Sequence, residues 1–273
     1  MTDTNAVVAV RGLSKSFGSV GSETVALSGI DLTIQPGEFV SLIGPSGCGK
    51  STLLRLIGDL TSPSGGTVEV NGKPASRART DRDYGMVFQA PVLFDWRTIE
   101  ANVALPLEIV DMPKSQRAGR IAEMLSLVEL SDFARHHPWQ LSGGMQQRAA
   151  IARALCFEPR LLLMDEPFGA LDEMTRERMN TELLRIWEQT GITIVFVTHS
   201  IPEAVFLSSR IVVMSARPGR ITRIIDVDLP RPRSDATREL DGYFALVTEV
   251  RESLKAGHGS GDADPAAARE TLP

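Results

Sequence analysis

The chain has 273 residues, enough for one large domain or two modest ones, and 42% apolar with 5% aromatic residues suits a globular core. Its 29 Lys and Arg stand against 34 Asp and Glu, a formal net charge of −5. That balance lacks the basic excess needed to neutralise a polyphosphate backbone and argues against nucleic acid as a partner. No run of 18 apolar residues occurs, and no basic segment leads an apolar core at the start. These features predict a chain kept in the cytosol that meets a membrane only through a partner. The two cysteines, Cys48 and Cys156, lack metal spacing and read as free thiols of a reducing compartment.

Taken in order, "AVVAVRGLSKSF" and "ETVALSGIDLTIQPGEFVSLIG" alternate apolar and polar residues, and "GGTVEVNGKP" adds a strand ending in an Asn71-Gly72 turn. From about residue 98 to 130 the period becomes helical, with "IEANVALPLEIV" and a segment carrying Ile121, Leu125 and Val128 on one face. A helical unit is inserted there. After a helix opened by "LSGG", strand "RLLLMDE", a long polar helix over residues 172–189 and strand "ITIVFVTH" restore α/β alternation. Unbroken apolar runs of this kind suit parallel strands buried on both faces. "RIVVMSARPGRITRIIDVDL" reads as two strands around a Pro218-Gly219 turn, and "DGYFALVTEVRESLKAG" as a last amphipathic helix.

Three segments carry chemistry. In "GPSGCGKST", Gly44, Gly49, Lys50 and Ser51 match the phosphate-loop pattern, between an apolar strand and a helix. Its backbone N–H groups, from Ser46, Gly47 and Cys48 through Thr52, would cradle phosphates around the turn that Pro45 shapes. Lys50 would neutralise the β- and γ-phosphates and Ser51 would offer its hydroxyl to Mg²⁺. "LLLMDEP" ends a buried strand in Asp165, placed to hold the metal through water, and Glu166, placed as a general base. In "LSGGMQQR", Ser142, Gly143 and Gly144 open a helix whose free N–H groups could hold a second anion.

In this order, together with Gln89, "GALD" and His199, these motifs resemble the ATP-binding subunit of ATP-binding cassette (ABC) transporters over about residues 8–232. The resemblance implies an α/β phosphate-loop ATPase: a mixed-sheet RecA-like core, an antiparallel β subdomain and an inserted helical subdomain. The expected boundaries are a core with the β subdomain over 1–90 and 158–232, a helical subdomain over 91–157, a terminal helix over 233–255 and a disordered tail from 256. It implies ATP and Mg²⁺ as cofactors and a head-to-tail dimer, in which Ser142, Gly143 and Gly144 close on the γ-phosphate held by the partner chain's loop. Gln89 then senses Mg²⁺ and the attacking water, and His199 contacts the γ-phosphate and orients Glu166. Asp172 communicates across the dimer, with Gly169 where serine is more familiar. Phe17 matches the adenine-stacking aromatic, although a strand phenylalanine can equally fill a core.

The resemblance further implies a permease partner, gripped by the segment after Gln89 through Leu93, Phe94 and Trp96. It places the chain at the cytoplasmic face of the cell membrane. Segments such as "LFDWRTIEANVALPLEI", "THSIPEAVFLSSRIVVMSARPGRI" and "LPRPR" are similar to those of the bacterial nitrate, sulfonate and taurine importer group, including members that take up hydroxymethylpyrimidine-type thiamine precursors. Those importers use an extracytoplasmic solute-binding protein. Rival readings are an exporter or lipid-extraction ATPase and a nucleotide switch without transport. A chromosome-maintenance ATPase would need a long coiled coil between Gln89 and Leu141, and the interval is too short.

Overall fold

The computed structural model describes residues 5–18 and 22–259. Strands β1 (Val8–Phe17) and β2 (Thr24–Ile34) pair antiparallel, with Val8 opposite Ile34 and Val10 opposite Leu32, so that their buried residues share one face. Strand β3 (Phe39–Ile43) is buried throughout and feeds helix α1 (Lys50–Ile57). Strand β4 (Gly65–Val70) turns through Asn71 and Gly72, both at positive φ, into β5 (Lys73–Pro74). These strands form an antiparallel sheet in the order β2-β1-β4-β5.

Helix α2 (Ala75–Asp81) and strand β6 (Tyr84–Val87) lead into the helical insert, which comprises α3 (Ile99–Ile109), α4 (Lys114–Leu127) and α5 (Gly143–Leu155). Leu125 and Val128 are buried as the helical spacing predicts, while Ile121 packs half-buried against them. The chain continues through β7 (Leu161–Asp165), α6 (Glu173–Thr190), β8 (Thr193–Val197), α7 (Ile201–Leu207), β9 (Arg210–Met214) and β10 (Ile221–Asp226) to α8 (Asp241–Gly259). The central sheet has the order β10-β9-β3-β8-β7-β6, parallel except for the antiparallel edge strand β10.

Alternate residues of the same central strands belong to two different cores. Val40, Leu42, Leu161, Leu163, Val195 and Val197 face α1 and the antiparallel sheet. Phe39, Ile43, Leu162, Met164, Ile194 and Phe196 face the helices of the insert and of the C-terminal half. Both faces being covered explains the unbroken apolar runs, since a strand with side chains alternating between two cores has no solvent-facing position. The carboxyl ends of β3, β6, β7, β8 and β9 then share one edge, where an open parallel sheet leaves room for a ligand.

The C-terminal boundary differs from the sequence expectation. Residues 235–239 form a single 3₁₀ turn, and the final helix starts at Asp241 and extends to Gly259. Ser234 and Thr237 close a capping box at that turn, with Ser234 N donating to Thr237 Oγ1 at 3.0 Å. Of the tail expected from residue 256, residues 256–259 therefore belong to the helix, and 260–273 lie outside the described residues.

Candidate active site

Strand β3 delivers the phosphate loop to the sheet's carboxyl edge. Gly44 is required there by close packing, because a Cβ would lie 2.7 Å from Cys48 Sγ and 2.9 Å from the Met214 carbonyl oxygen. Gly47 and Gly49 sit at φ 74° and 101°, a region that side chains disfavour. Pro45 and Ser46 join Gly44 to Gly47 in a turn closed by Cys48 N–H donating to Pro45 O at 3.2 Å. Gly49 caps α1 without any side-chain hydrogen bond, so the N–H groups of Lys50, Ser51 and Thr52 have no side-chain cap. The buried Lys50 ammonium donates to Gly44 O (2.9 Å) and Pro45 O (3.2 Å), which draws it inside the loop. Burial raises the Cys48 thiol above its usual range, against the opposing charge of Lys50.

Two residues expected at the metal site, Ser51 and Asp165, lie side by side. Ser51 Oγ donates to Asp165 Oδ1 at 2.6 Å, bridging the start of α1 and the end of β7. Glu166 follows in left-handed backbone (φ 48°), with its N–H donating to Val197 O at 3.1 Å. That strained turn directs its carboxylate toward the end of β8, where Glu166 Oε2 lies 3.4 Å from His199 Nδ1. Gln89 lies two residues beyond β6 and is exposed. A Cβ placed on Gly169 would be 3.2 Å from Gln89 Nε2 and 3.7 Å from Glu166 Oε2, so the three residues meet at one point.

A cleft of about 620 Å³ joins the loop residues Ser46, Gly47, Gly49, Lys50, Ser51 and Thr52 to Glu166, His199 and Phe17. Phe17 is 46% exposed at the cleft rim, which removes the alternative of a core phenylalanine. A larger cleft of about 1010 Å³, lined by Gly37, Asn71, Arg120 and Thr193, lies at the amino ends of the parallel strands. It contains none of the phosphate-loop residues.

The signature segment lies elsewhere in the same chain. Ser142 caps α5, accepting from Met145 N at 3.4 Å, and Ser142, Gly144 and Met145 line a separate cleft of about 410 Å³. Gly143 is exposed, whereas Gly144 is buried, and a Cβ there would lie 3.0 Å from Thr175 Cγ2 of α6. Packing within the chain therefore also favours the second glycine, since a side chain there would press on Thr175. Asp172 caps α6 by accepting from Thr175 N at 3.0 Å, and that hydrogen bond holds its carboxyl below the usual range.

Sequence reading missed three residues that shape this site. Arg217 lines the phosphate cleft and reaches Gly47 O at 3.5 Å. Gly219, expected only to turn a hairpin, lies against the loop: a Cβ on it would overlap the Cys48 carbonyl oxygen. Buried Gln147 of α5 donates to Phe88 O at 3.0 Å and so ties the signature helix to the segment carrying Gln89. Only Gly219, in a Pro-Gly pair, left a sequence signal, and that signal reported a turn rather than its neighbour.

A family model described as ABC transporter matches residues 27–169. An uncharacterized ABC transporter ATP-binding protein of Methanocaldococcus jannaschii is 46% identical over 90% of this chain and 93% of its own length. This chain belongs to the ABC transporter family. The aliphatic sulfonates import ATP-binding protein of Bacillus subtilis is 42% identical to this ABC ATPase, over 90% of this chain and 96% of that protein. The bicarbonate transport ATP-binding protein of Synechococcus elongatus is 48% identical over 89% of this chain, a match that spans 37% of that longer protein. Among solved structures, a dimeric ATP-binding cassette in a post-hydrolysis state with ADP and Pi superposes with a TM-score of 0.70 at 36% identity, over 81% of this chain and 98% of that one. The protein is thus an ATP-binding, ATP-hydrolysing cassette with the phosphate-loop ABC fold.

The donor set fits Mg²⁺. Ser51 and Asp165 present hard oxygens 2.6 Å apart, and among the described residues no three His, Cys, Asp or Glu converge as a protein-only cage. A metal at this position takes its remaining ligands from phosphate and water, which is how Mg²⁺ is usually held beside nucleotides.

Proposed function

We propose that this ABC ATPase is the energising subunit of an importer for a small solute, working by closure of a head-to-tail dimer around ATP. The separation of the two anion-binding segments carries the reading: the loop cleft holds Lys50, Ser51, Glu166 and His199, and the Ser142 cleft holds none of them. Two copies placed head to tail would bring each Ser142–Gly144 segment onto the γ-phosphate in the other copy's loop. That a solved cassette of this fold is itself a dimer with ADP and Pi bound supports the pairing of two copies.

Within each composite site, Lys50 and the loop N–H groups hold the β- and γ-phosphates. Ser51 and Asp165 would hold Mg²⁺, with Gln89 in reach of the same position, and the ion would supply charge neutralisation for the phosphates. Glu166 accepts the proton of the water that attacks the γ-phosphorus, as ADP leaves on the opposite side. His199, 3.4 Å from Glu166, orients that carboxylate and contacts the γ-phosphate. Phe17 stacks on the adenine.

Among the described residues no helix is long and apolar enough to cross a membrane, so movement of a solute requires separate permease subunits. Buried Asn102 fastens the loop that would meet them, accepting from Phe94 N and donating to the carbonyls of Phe94, Arg97 and Thr98. Trp96 is left 75% exposed, stacked against half-buried Phe94, while Leu93 packs on the core. Trp96 and Phe94 are therefore the proposed permease contacts, with Leu93 as their support. Nearby Val92, Leu105 and Ile109 line an apolar cleft of about 400 Å³ that suits a short amphipathic helix. Such a contact would hold the protein at the cytoplasmic face of the cell membrane.

The solute class follows from the importer group, of the nitrate, sulfonate, taurine or thiamine-precursor type, and from relatives named for aliphatic sulfonates and bicarbonate. An extracytoplasmic binding protein would deliver it. The test is ATPase activity of the purified complex with permease, measured with binding protein loaded with sulfonates, nitrate, bicarbonate or pyrimidines. Stimulation by one loaded form is expected, and no stimulation by any of them sinks the importer assignment.

A further inference from the structure

Helix α7 begins two residues after His199, and its third residue, Glu203, is 5% exposed. The sequence "SIPE" over residues 200–203 has the spacing of a capping box, in which the glutamate would reach back to the amide of the capping serine. The structure departs from that arrangement. Ser200 N donates instead to Thr198 Oγ1 at 2.9 Å, and Thr198 Oγ1 in turn donates to Glu203 Oε2. Glu203 N completes the ring by donating to Ser200 Oγ at 3.4 Å. The carboxylate thus grips the two residues flanking His199 through one hydroxyl.

The other side of Glu203 faces α6. Arg176, His199 and Asn180 act on its charge. Arg176 donates to Phe168 O (3.3 Å) and Leu171 O (2.6 Å), holding the loop between Glu166 and Asp172. Glu203 therefore sits in the seam between the turn that presents Glu166 and the turn that presents His199. Burial raises its carboxyl above the usual range, opposed by Thr198, Arg176, His199 and Asn180. An exposed capping glutamate would stabilise the helix equally well without that desolvation. At the other end of α7, buried Arg233 donates to the carbonyls of Phe206 and Ser208, each at 2.8 Å, and so fixes the helix away from any nucleotide contact.

We propose that Glu203 is a positioning residue for ATP hydrolysis: by fixing Thr198 and Ser200 on either side of His199, it sets the His199–Glu166 contact from which the attacking water is organised. This rests on the proposed roles of Glu166 and His199.

The test uses the full-length protein with Glu203→Ala, Glu203→Gln, His199→Ala and the Glu203→Ala/His199→Ala pair. The readouts are kcat and KM for ATP, binding of a fluorescent ATP analogue, and Tm. Glu203→Ala is expected to lower kcat about tenfold while KM and analogue binding stay within about twofold, the pattern of a lost transition-state interaction. Glu203→Gln, whose amide oxygen still accepts from Thr198, should keep at least about half of wild-type kcat. In the His199→Ala background, Glu203→Ala should cause no further loss, because it acts through that side chain. If Glu203→Ala does not fold, Thr198→Val takes its place with the same expectation. Wild-type kcat in the alanine or valine variant, additive losses in the pair, or no rescue by glutamine would each overturn the inference. Wild-type turnover in His199→Ala would instead overturn the site assignment beneath it.

Discussion

The phosphate loop and the signature segment are both glycine-rich starts of helices, yet they end in opposite states. At α1 the cap is Gly49 in left-handed backbone, with no side chain accepting from the first turn. At α5 the cap is Ser142, whose hydroxyl already takes the Met145 amide. The first helix start shares one cleft with the Lys50 ammonium, the Ser51 hydroxyl and the Glu166 carboxylate, whereas at the second an exposed serine borders a separate cleft that holds none of them. A complete anion site needs both free donors and enclosing charge. The phosphate loop has both; the signature cleft mixes Arg148 and Arg178 with Glu129, Glu177 and Glu182, and under the proposed closure it would act only against a phosphate held by the other copy.

The sharpest way to break that contrast is Glu166→Gln, which should lower hydrolysis by about 100-fold or more while ATP binding survives. Saturated with ATP and Mg²⁺, this variant should elute as a dimer by light scattering, and a monomer would refute the half-site account. Next in size is the pair Lys50→Ala and Ser142→Arg. Loss of the lysine should weaken ATP binding to the monomer by about 100-fold, as expected for charge-assisted hydrogen bonds. The bulky arginine should abolish hydrolysis yet leave monomer binding within about twofold. Weakened monomer binding in Ser142→Arg would mean that the signature touches its own chain's nucleotide.

Gly219→Ala tests whether the loop depends on its buttress: overpacking against the Cys48 carbonyl should cost about 1–3 kcal/mol, read as a lower Tm and weaker ATP binding. An unchanged Tm and affinity would disconnect the two loops. Phe17→Ala should weaken ATP binding about threefold to tenfold, the usual worth of an aromatic stacking contact.

The smallest effect compares the two cysteines, one in each region. Burial pushes the Cys156 thiol, at the end of α5, up to about 12, and also raises Cys48. Because each folded pKa lies above the unfolded value, the thiolate is disfavoured in the fold, and stability contributed by these groups falls only as pH climbs above 9. At pH 8 neither should react with a thiol reagent until the protein unfolds. Rapid labelling of Cys156 in folded protein would show that α5 opens far more readily than its packing implies.

Much of the site was legible because its motifs combine a fixed spacing with a chemical requirement. A glycine, lysine and serine at the end of a buried strand, or an aspartate and glutamate at the end of another, point to phosphate and metal before any coordinates exist. Gly169 illustrates the limit: its place in "GALD" was readable, but its position between Gln89 and Glu166 was not. Glu203 is similar, since "SIPE" reads as an ordinary helix cap and only the burial of that cap against α6 reveals its link to His199. The terminal helix was expected over residues 233–255, whereas the chain first makes a 3₁₀ turn at residues 235–239 and the helix runs from Asp241 to Gly259.

The amino-acid sequence alone determined the chemistry available to this protein, because apolar periodicity sets which strands are buried and the residues at their ends are read directly from the chain. Tertiary structure alone decided which loops meet: that Gly219 supports the phosphate loop, that Gln147 joins α5 to Phe88, and that Ser142 stands apart from Lys50. The reason is one of distance. Periodicity reports each residue's face within its own element, whereas contacts between turns depend on the twist and order of the whole sheet, which no short window encodes.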